Sequence, residues 1–172
     1  MKLIIAIAGG LAALAISAWV YISSVTTEDL LRADDMAEFN RYASIVSLRG
    51  AKAIPIFLDV LDDSLKKRYS VFNYGKINSS ISHLYNLANR GITDVRSVPV
   101  LIRVIDEQIF IKDTLPTAEI LYVITGVGSG YDKKFVETYT EKDEKVRQEM
   151  IGKWREWYAS GSPQPPNPRI AQ

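Results

Sequence analysis

The sequence predicts an all-α protein: a short right-handed α-solenoid of helix pairs, preceded by an N-terminal transmembrane or signal helix. Two observations carry this prediction. The segment 53–63 returns as 97–107, which places Pro55 and Pro99 44 residues apart. Before the first copy, residues 3–22 form a run of apolar or small residues. Repetition at this period indicates stacked structural units, and the apolar run is long enough to cross a bilayer as a helix.

Each copy of the repeated segment has the pattern of a short amphipathic helix. Its proline suits the first helical turn, where the missing N–H leaves no hydrogen bond unmade. Apolar residues then recur at positions i, i+3, i+4 and i+7, which share one helical face. They are Ile54, Phe57, Leu58 and Leu61 in the first copy, and Val98, Leu101, Ile102 and Ile105 in the second. One short helix cannot bury such a face alone, so a covering helix and neighbouring pairs are needed.

The covering helices are predicted just upstream of each copy. Residues 41–48 lead to Gly50 and residues 81–88 lead to Gly91, and both glycines suit a helix C-terminus. Residues 26–29 have the pattern of a helix start, followed by a break near Asp34-Asp35. Gly75 and the polar run 78–80 indicate a further break. We therefore expect one helix over 65–74 and another over 79–88.

Three segments carry a resemblance to a known family: 48–55 (LRGAKAIP), 97–102 (SVPVLI) and 118–126 (AEILYVITG). With the later Trp154-x-x-Trp157, they resemble the HEAT-repeat family, in particular its short bacterial HEAT-like (PBS-lyase-type) members. The resemblance covers roughly residues 38–158. It implies stacked helix pairs that bind other proteins, a bacterial source and no catalytic residues. The Arg–Asp pairing usual between such repeats is not evident in the sequence.

The apolar N-terminal segment favours a signal anchor. Lys2 is the only charged residue before Glu28, and Trp19 and Tyr21 lie where aromatic side chains meet the membrane surface. A cleaved signal peptide is the alternative, since Ala13-Leu14-Ala15 offers a small-x-small site inside the run. The charges predict a cytoplasmic N-terminus and an exported, periplasmic or extracellular body. With cleavage, the body would be secreted.

The chain therefore divides into three parts. Residues 1–25 form the signal-anchor or transmembrane helix, or a signal peptide. Residues 26–160 form the HEAT-like helical repeat domain, and residues 161–172 a Pro-rich disordered tail. Pro has no N–H to donate, so this tail is expected to be extended or disordered.

The composition and the individual motifs argue against catalysis and against nucleic-acid binding. The net charge is +1 and there is no Cys, which excludes disulfides and thiolate metal sites. His83 is the only histidine and is expected to be structural or at the surface. Asp34-Asp35 as a cation site and 126–130 as a nucleotide loop are minor alternatives. We predict no catalytic residue, no cofactor, no metal and no nucleic-acid partner.

A candidate interaction surface combines outward charges with aromatic residues near the C-terminus. Its members are Asp59, Lys66, Lys67, Arg68, Arg103, Trp154 and Trp157. Asp59 and Arg103 occupy equivalent positions of the two copies. The basic cluster 66–68 is either a solvated first turn of a helix or a docking site for an anionic partner. The two tryptophans are expected to close the end of the helix array. A groove of Tyr131, Phe135 and Tyr139 is the alternative aromatic site.

Three functions fit these features. The first is a non-catalytic protein–protein interaction module, or scaffold, tethered to a membrane through Leu3 to Ile22. The second is an accessory subunit of a larger membrane complex, with Gly9-Gly10 and nearby alanines allowing close helix packing. The third is an exported soluble ligand-binding domain. An enzyme is disfavoured because no set of reactive residues is recognisable.

Overall fold

The computed structural model describes residues 2–67, 70–107, 114–127 and 141–161, with side chains from Ala13 onward except at 114–115 and 141–143. This part of the chain contains helices and turns and no β-strand, which confirms the all-α class. The helices are α1 (Lys2–Ser24), α2 (Thr27–Arg32), α3 (Met36–Ser47), α4 (Ala53–Lys66), α5 (Val71–Asn89), α6 (Ser97–Glu107), α7 (Thr114–Thr125) and α8 (Glu141–Ser160), with a 3-10 turn at Gly50–Lys52.

Side-chain caps set the starts of α2 and α3. Thr26 and Asp29 form a reciprocal capping box, in which the Thr26 N–H donates to Asp29 Oδ2 at 2.6 Å. The hydrogen bonds from the backbone and side chain of Thr26 hold the pKa of Asp29 below its usual value. Asp35 begins α3 by accepting the N–H of Glu38 at 2.8 Å. The predicted helix start at 26–29 and the break near Asp35 are confirmed.

The two proline segments form α4 and α6, as predicted. Pro55 and Pro99 each lie in the first turn. The preceding covering helices α3 and α5 end at Ser47 and Asn89, and Gly50 and Gly91 follow within three residues with φ values of 60° and 74°. Glycine adopts this left-handed backbone without a steric penalty. The inner faces of α4 and α6 are buried through Ile54, Phe57, Leu61, Val98, Leu101 and Ile105.

The helices pack in two rows. α3, α5 and α7 lie side by side in one row, and α4, α6 and α8 lie side by side in the other. Across the rows, α4 packs on α5 and α6 packs on α7. The core between the rows includes Phe39, Val46, Leu84 and Leu121 from the first row and Phe57, Leu61, Leu101 and Ile105 from the second. Each apolar stripe is thus buried by a helix of the opposite row and by neighbouring helices of its own row.

The predicted break at Gly75 and 78–80 is wrong, because α5 is continuous through these residues. The chain turns earlier, after α4, and Ser70 caps the start of α5 with its side chain. Gly75 lies within the helix at a close approach to α3. A Cβ at this position would lie 2.7 Å from the Sδ atom of Met36. Contacts between helices thus outweigh the low helix propensity of glycine and serine.

The predicted membrane segment corresponds to α1, and its side chains before Ala13 lie outside the described residues. Within the residues whose side chains are described, which include α1 only from Ala13 onward, no helix is long and apolar enough to cross a membrane. Several other predictions fall on residues that are not described. These are Arg68, most of the glycine-rich stretch (128–130), the aromatic groove of Tyr131, Phe135 and Tyr139, and the tail from 162 to 172.

Candidate interaction surface

Charged side chains cover the outward face of α4. Asp59 is exposed near its middle. Toward its end, Lys66 Nζ lies 2.6 Å from Asp62 Oδ2, and Lys67 Nζ lies 2.8 Å from Asp63 Oδ1. Such exposed pairs on one helix each contribute only about 0.3–0.5 kcal/mol to stability. Lys66 and Lys67 are therefore solvated, as expected, but they end α4 instead of opening the next helix.

Two arginines link successive helices of the row α4–α6–α8. The guanidinium of Arg103 on α6 donates to Asp62 on α4. One step further, Arg155 on α8 donates to Asp106 on α6 at 2.9 Å. Asp62 and Asp106 are 44 residues apart, the same spacing that separates the two prolines. Only the acidic partner recurs with the repeated unit, because Arg103 and Arg155 are 52 residues apart. These Arg–Asp pairs, which were not evident in the sequence, join neighbouring helices in the folded chain.

The first of these links changes the ionisation of both partners. Hydrogen bonds from Lys66 and Arg103 lower the pKa of Asp62 below its ordinary value. Asp62 and Glu107 in turn raise the pKa of Arg103. Arg103 is therefore engaged within the protein. Its repeat-equivalent, Asp59, is exposed and has no ion-pair partner among the described residues.

The two tryptophans of α8 differ in burial. Trp154 is fully buried, and its indole N–H donates to the carbonyl of Val127 at 2.8 Å. Trp157, one turn later, is half-buried and packs against the edge of the core. The assignment of Trp154 to an interaction surface is therefore corrected, because its ring fills the core and its one donor is satisfied inside. Trp157 keeps an accessible edge.

His83 lies at a contact between three helices. Its Nδ1 is 2.7 Å from Oγ of Ser47 on α3, and its ring stacks on Phe57 of α4 with 5.2 Å between centroids. Burial lowers the pKa of His83, because desolvation disfavours the imidazolium form. The Ser47 hydroxyl donates its one proton to the carbonyl of Ala43 at 2.9 Å. Among the described residues no acid contacts His83, so the three groups needed for a Ser–His–acid set are not brought together.

Lys76 is a buried charge that the sequence did not predict. It is 4% exposed, and its ammonium donates to the carbonyl of Leu31 at 2.7 Å. The ammonium also lies 4.5 Å from the centroid of the Phe72 ring, within range of a cation–π interaction. Burial lowers the pKa of Lys76. Lysine is almost always exposed, and its neighbours in sequence carry no pattern that signals otherwise.

Arg49 attaches the end of α1 to the helical body. Its Nε donates to the carbonyl of Ile22 at 2.8 Å, and its Nη2 donates to the carbonyls of Ile22 and Val25. A cation at this place complements the negative end of the helix dipole and satisfies carbonyls that lack helical partners. The side chain of Val25 is itself buried. The C-terminal end of α1 is thus held at the turn between α3 and α4.

The described part of α1 beyond this attachment exposes apolar side chains on every side. The large ones are Leu14, Ile16, Trp19, Val20 and Tyr21. At about 100° of rotation per residue, they are spread around the helix and do not form one stripe. An amphipathic helix that packs on one partner has a single apolar face. This segment therefore lacks the asymmetry of such a helix.

An open cavity of about 140 Å³ lies at the corner between α2 and α3, lined by Asp29, Arg32, Ala33, Asp34, Glu38 and Tyr42. Glu38 accepts hydrogen bonds from the Asp34 N–H at 2.9 Å and from the Tyr42 hydroxyl at 3.1 Å. Its carboxylate is therefore occupied within the protein. In the described ranges, no group of three His, Cys, Asp or Glu residues could hold a metal ion.

Comparisons of the chain with protein-family models, with curated proteins and with solved structures found no match. The resemblance to HEAT-like repeats accordingly stays a prediction from the sequence.

Proposed function

We propose that this protein is a non-catalytic protein–protein interaction module of the HEAT-like α-solenoid type, tethered to a membrane by α1. The observation that carries this proposal is the pair of Asp–Arg links that join α4 to α6 and α6 to α8. The acidic partners of these links, Asp62 and Asp106, recur at the 44-residue spacing of the two prolines, which supports a stack of equivalent helix pairs. Proteins built in this way contact partners through long surfaces formed by successive repeats.

The outward face of the second row is the surface best suited to a partner. The links hold Asp62, Arg103, Asp106 and Arg155 in alternating order across three helices. Asp59 adds an exposed carboxylate beside them. A fixed order of alternating charges favours specific recognition and fast association by a complementary surface. The partner that fits is a protein with the complementary charge order.

The exposure of α1 supports the membrane tether. A helix that is apolar on all sides is stable when hydrocarbon or protein surrounds it. Trp19 and Tyr21 lie near its attached end, where aromatic side chains favour the membrane surface. Lys2 at the other end favours a cytoplasmic N-terminus, with the body exported.

Photo-crosslinking in native membranes tests the interaction surface. A photoreactive amino acid at Asp59 is expected to give a discrete protein adduct by mass spectrometry. The matched control is the same group at Asn86, which is also exposed but lies on α5 in the other row. Adducts from Asn86 and none from Asp59 would contradict the assignment of the face.

Carbonate extraction tests the tether. We expect the full chain to stay in the membrane pellet with an intact mass that retains residues 1–25. A Leu14→Arg, Ile16→Arg chain should be extracted, because each arginine near the centre of a membrane helix is costly, by about 2.5–3.5 kcal/mol. Complete extraction of the unmodified chain would refute the tether. A mass that begins near Ile16 to Ser23 would support the exported soluble domain instead.

The accessory-subunit function is the second candidate, and the all-round exposure of α1 also favours it. Neighbouring membrane helices could surround the segment in place of lipid. A photoreactive group at Leu14 separates the two functions. Adducts to membrane proteins from Leu14, without adducts from Asp59, would favour the subunit of a complex.

A further inference from the structure

Two loops form one end of the helical body beside the end of α1. They are residues 48–52, between α3 and α4, and residues 90–96, between α5 and α6; together we call them the α1-proximal face. The loops lie close together, since a Cβ added at Gly50 would be 3.8 Å from Cδ1 of Ile92. Arg49 in the first loop holds the carbonyls that end α1. The face therefore begins where α1 ends.

The α1-proximal face combines basic charge with exposed apolar side chains. Its charged residues are four bases and one acid: Arg49, Lys52, Arg90, Arg96 and Asp94. Leu48 and Val95 are 69% and 51% exposed. Asp94 is neutralised locally by Arg96, whose Nη2 lies 2.6 Å away. Within the described residues Lys52 and Arg90 have no ion-pair partner, so their charges are available to an anion.

The acids near α1 are already engaged. Glu28 pairs with Arg32, and Asp29 caps α2. The far end of the body, where α3 begins and α4 and α6 end, carries charges of both signs: Asp34, Asp35, Asp106 and Glu107 together with Lys66 and Lys67. On the α1-proximal face, by contrast, the bases outnumber the acid. A membrane that contains α1 would meet this basic face.

We propose that the α1-proximal face docks onto anionic phospholipid headgroups of the membrane that holds α1, with Leu48 and Val95 reaching into the headgroup layer. This inference rests on the proposed tether and adds an orientation to it. The tether keeps the face at a high effective concentration beside the membrane. Each basic side chain near an anionic surface then favours docking by about fivefold. Docking holds the outward row α4–α6–α8 at a fixed angle to the membrane.

Single-cysteine labelling tests the docking, because the chain contains no cysteine. Three full-length chains each carry one bimane label. The label is at Leu14→Cys in α1, at Ala51→Cys in the α1-proximal face, or at Ala37→Cys at the start of α3, which lies at the far end of the body. Each is reconstituted in vesicles of phosphatidylcholine, alone or mixed with phosphatidylglycerol, with spin-labelled lipid as quencher. We expect quenching at position 14 in both vesicles, at position 51 more strongly with phosphatidylglycerol, and little at position 37.

A charge reversal with a matched control isolates the electrostatic contribution. Lys52→Glu with Arg90→Glu should reduce the ratio of docked to undocked protein by roughly 25-fold or more, reported by the label at position 51. Lys145→Glu with Lys153→Glu makes the same change in net charge on exposed positions of α8 and should have little effect. Unchanged thermal melting of both variants shows that the fold is retained.

The outcomes separate failure of the docking from failure of the tether. Suppose that position 14 is quenched, but quenching at position 51 depends neither on phosphatidylglycerol nor on the charges of Lys52 and Arg90. This result would overturn the docking and leave the tether standing. No quenching at position 14 in either vesicle would overturn the tether and the docking with it. Higher salt should weaken quenching at position 51 only, since added ions screen surface charge.

Discussion

Truncation of Trp154 to alanine tests whether this side chain is a core element or part of a docking surface. The side chain is fully buried between α8 and the rest of the body. A buried tryptophan removes about 150–250 Å² from water, which corresponds to about 4–6 kcal/mol at 25 cal/mol per Å². Compact unfolded chains reduce that figure. The carbonyl of Val127 loses this donor and keeps a long contact of 3.5 Å from the Thr125 hydroxyl.

We therefore expect Trp154→Ala to lower the free energy of unfolding by about 3–5 kcal/mol, the range found for such truncations. For a chain of this size that is a fall of roughly 6–20 °C in Tm, measured by circular dichroism at the helix band. Trp157→Ala is the matched control on the same helix. Trp157 is half-buried, so its truncation should lower the free energy of unfolding by about half as much or less. Near-equal stabilities of Trp154→Ala and the unmodified chain, with loss of partner crosslinking, would refute the burial argument.

Three further predictions concern single interactions. Because burial lowers the pKa of His83, the unfolded chain binds more protons than the folded chain at pH values between the folded pKa and about 6.5. The free energy of unfolding from urea titration should therefore fall as the pH drops below about 6.5, and His83→Gln should remove this component. Lys76 also has a lowered pKa, so stability should rise as the pH increases toward 10.5, and a parallel pH profile for Lys76→Met would contradict this. A double-mutant cycle on Asp106 and Arg155 should give a coupling of about 0.2–1 kcal/mol that decreases at high salt, and zero coupling would contradict the link.

Helix ends were predictable because their signals are local. The capping groups of Thr26 and Asp35 lie within three residues of the N–H groups that they satisfy. The left-handed conformation of Gly50 and Gly91 likewise depends on one residue. The position of α5 was mispredicted for the opposite reason. Gly75 is a helix breaker by propensity, but its role is to admit Met36, which lies far away in the sequence.

The candidate surface was predictable only in part. The equivalence of Asp59 and Arg103 follows from the repeat, and both lie on the outward row. Trp154 was misassigned because its spacing with Trp157 is the same for a core face and for a surface face. The links from Arg103 to Asp62 and from Arg155 to Asp106 join residues on different helices, so no window of sequence contains them.

The sequence by itself determined the helical class, the repeated unit and most helix boundaries, since these depend on periodicity and on caps within a few residues. The tertiary structure decided which charges are engaged. It buried Lys76 against the carbonyl of Leu31, placed Arg49 on the end of α1 and left Lys52 without an ion-pair partner among the described residues. The physical reason is range. Capping and amphipathicity act within one turn, whereas the partner of a charged side chain is set by the packing of helices that are distant along the chain.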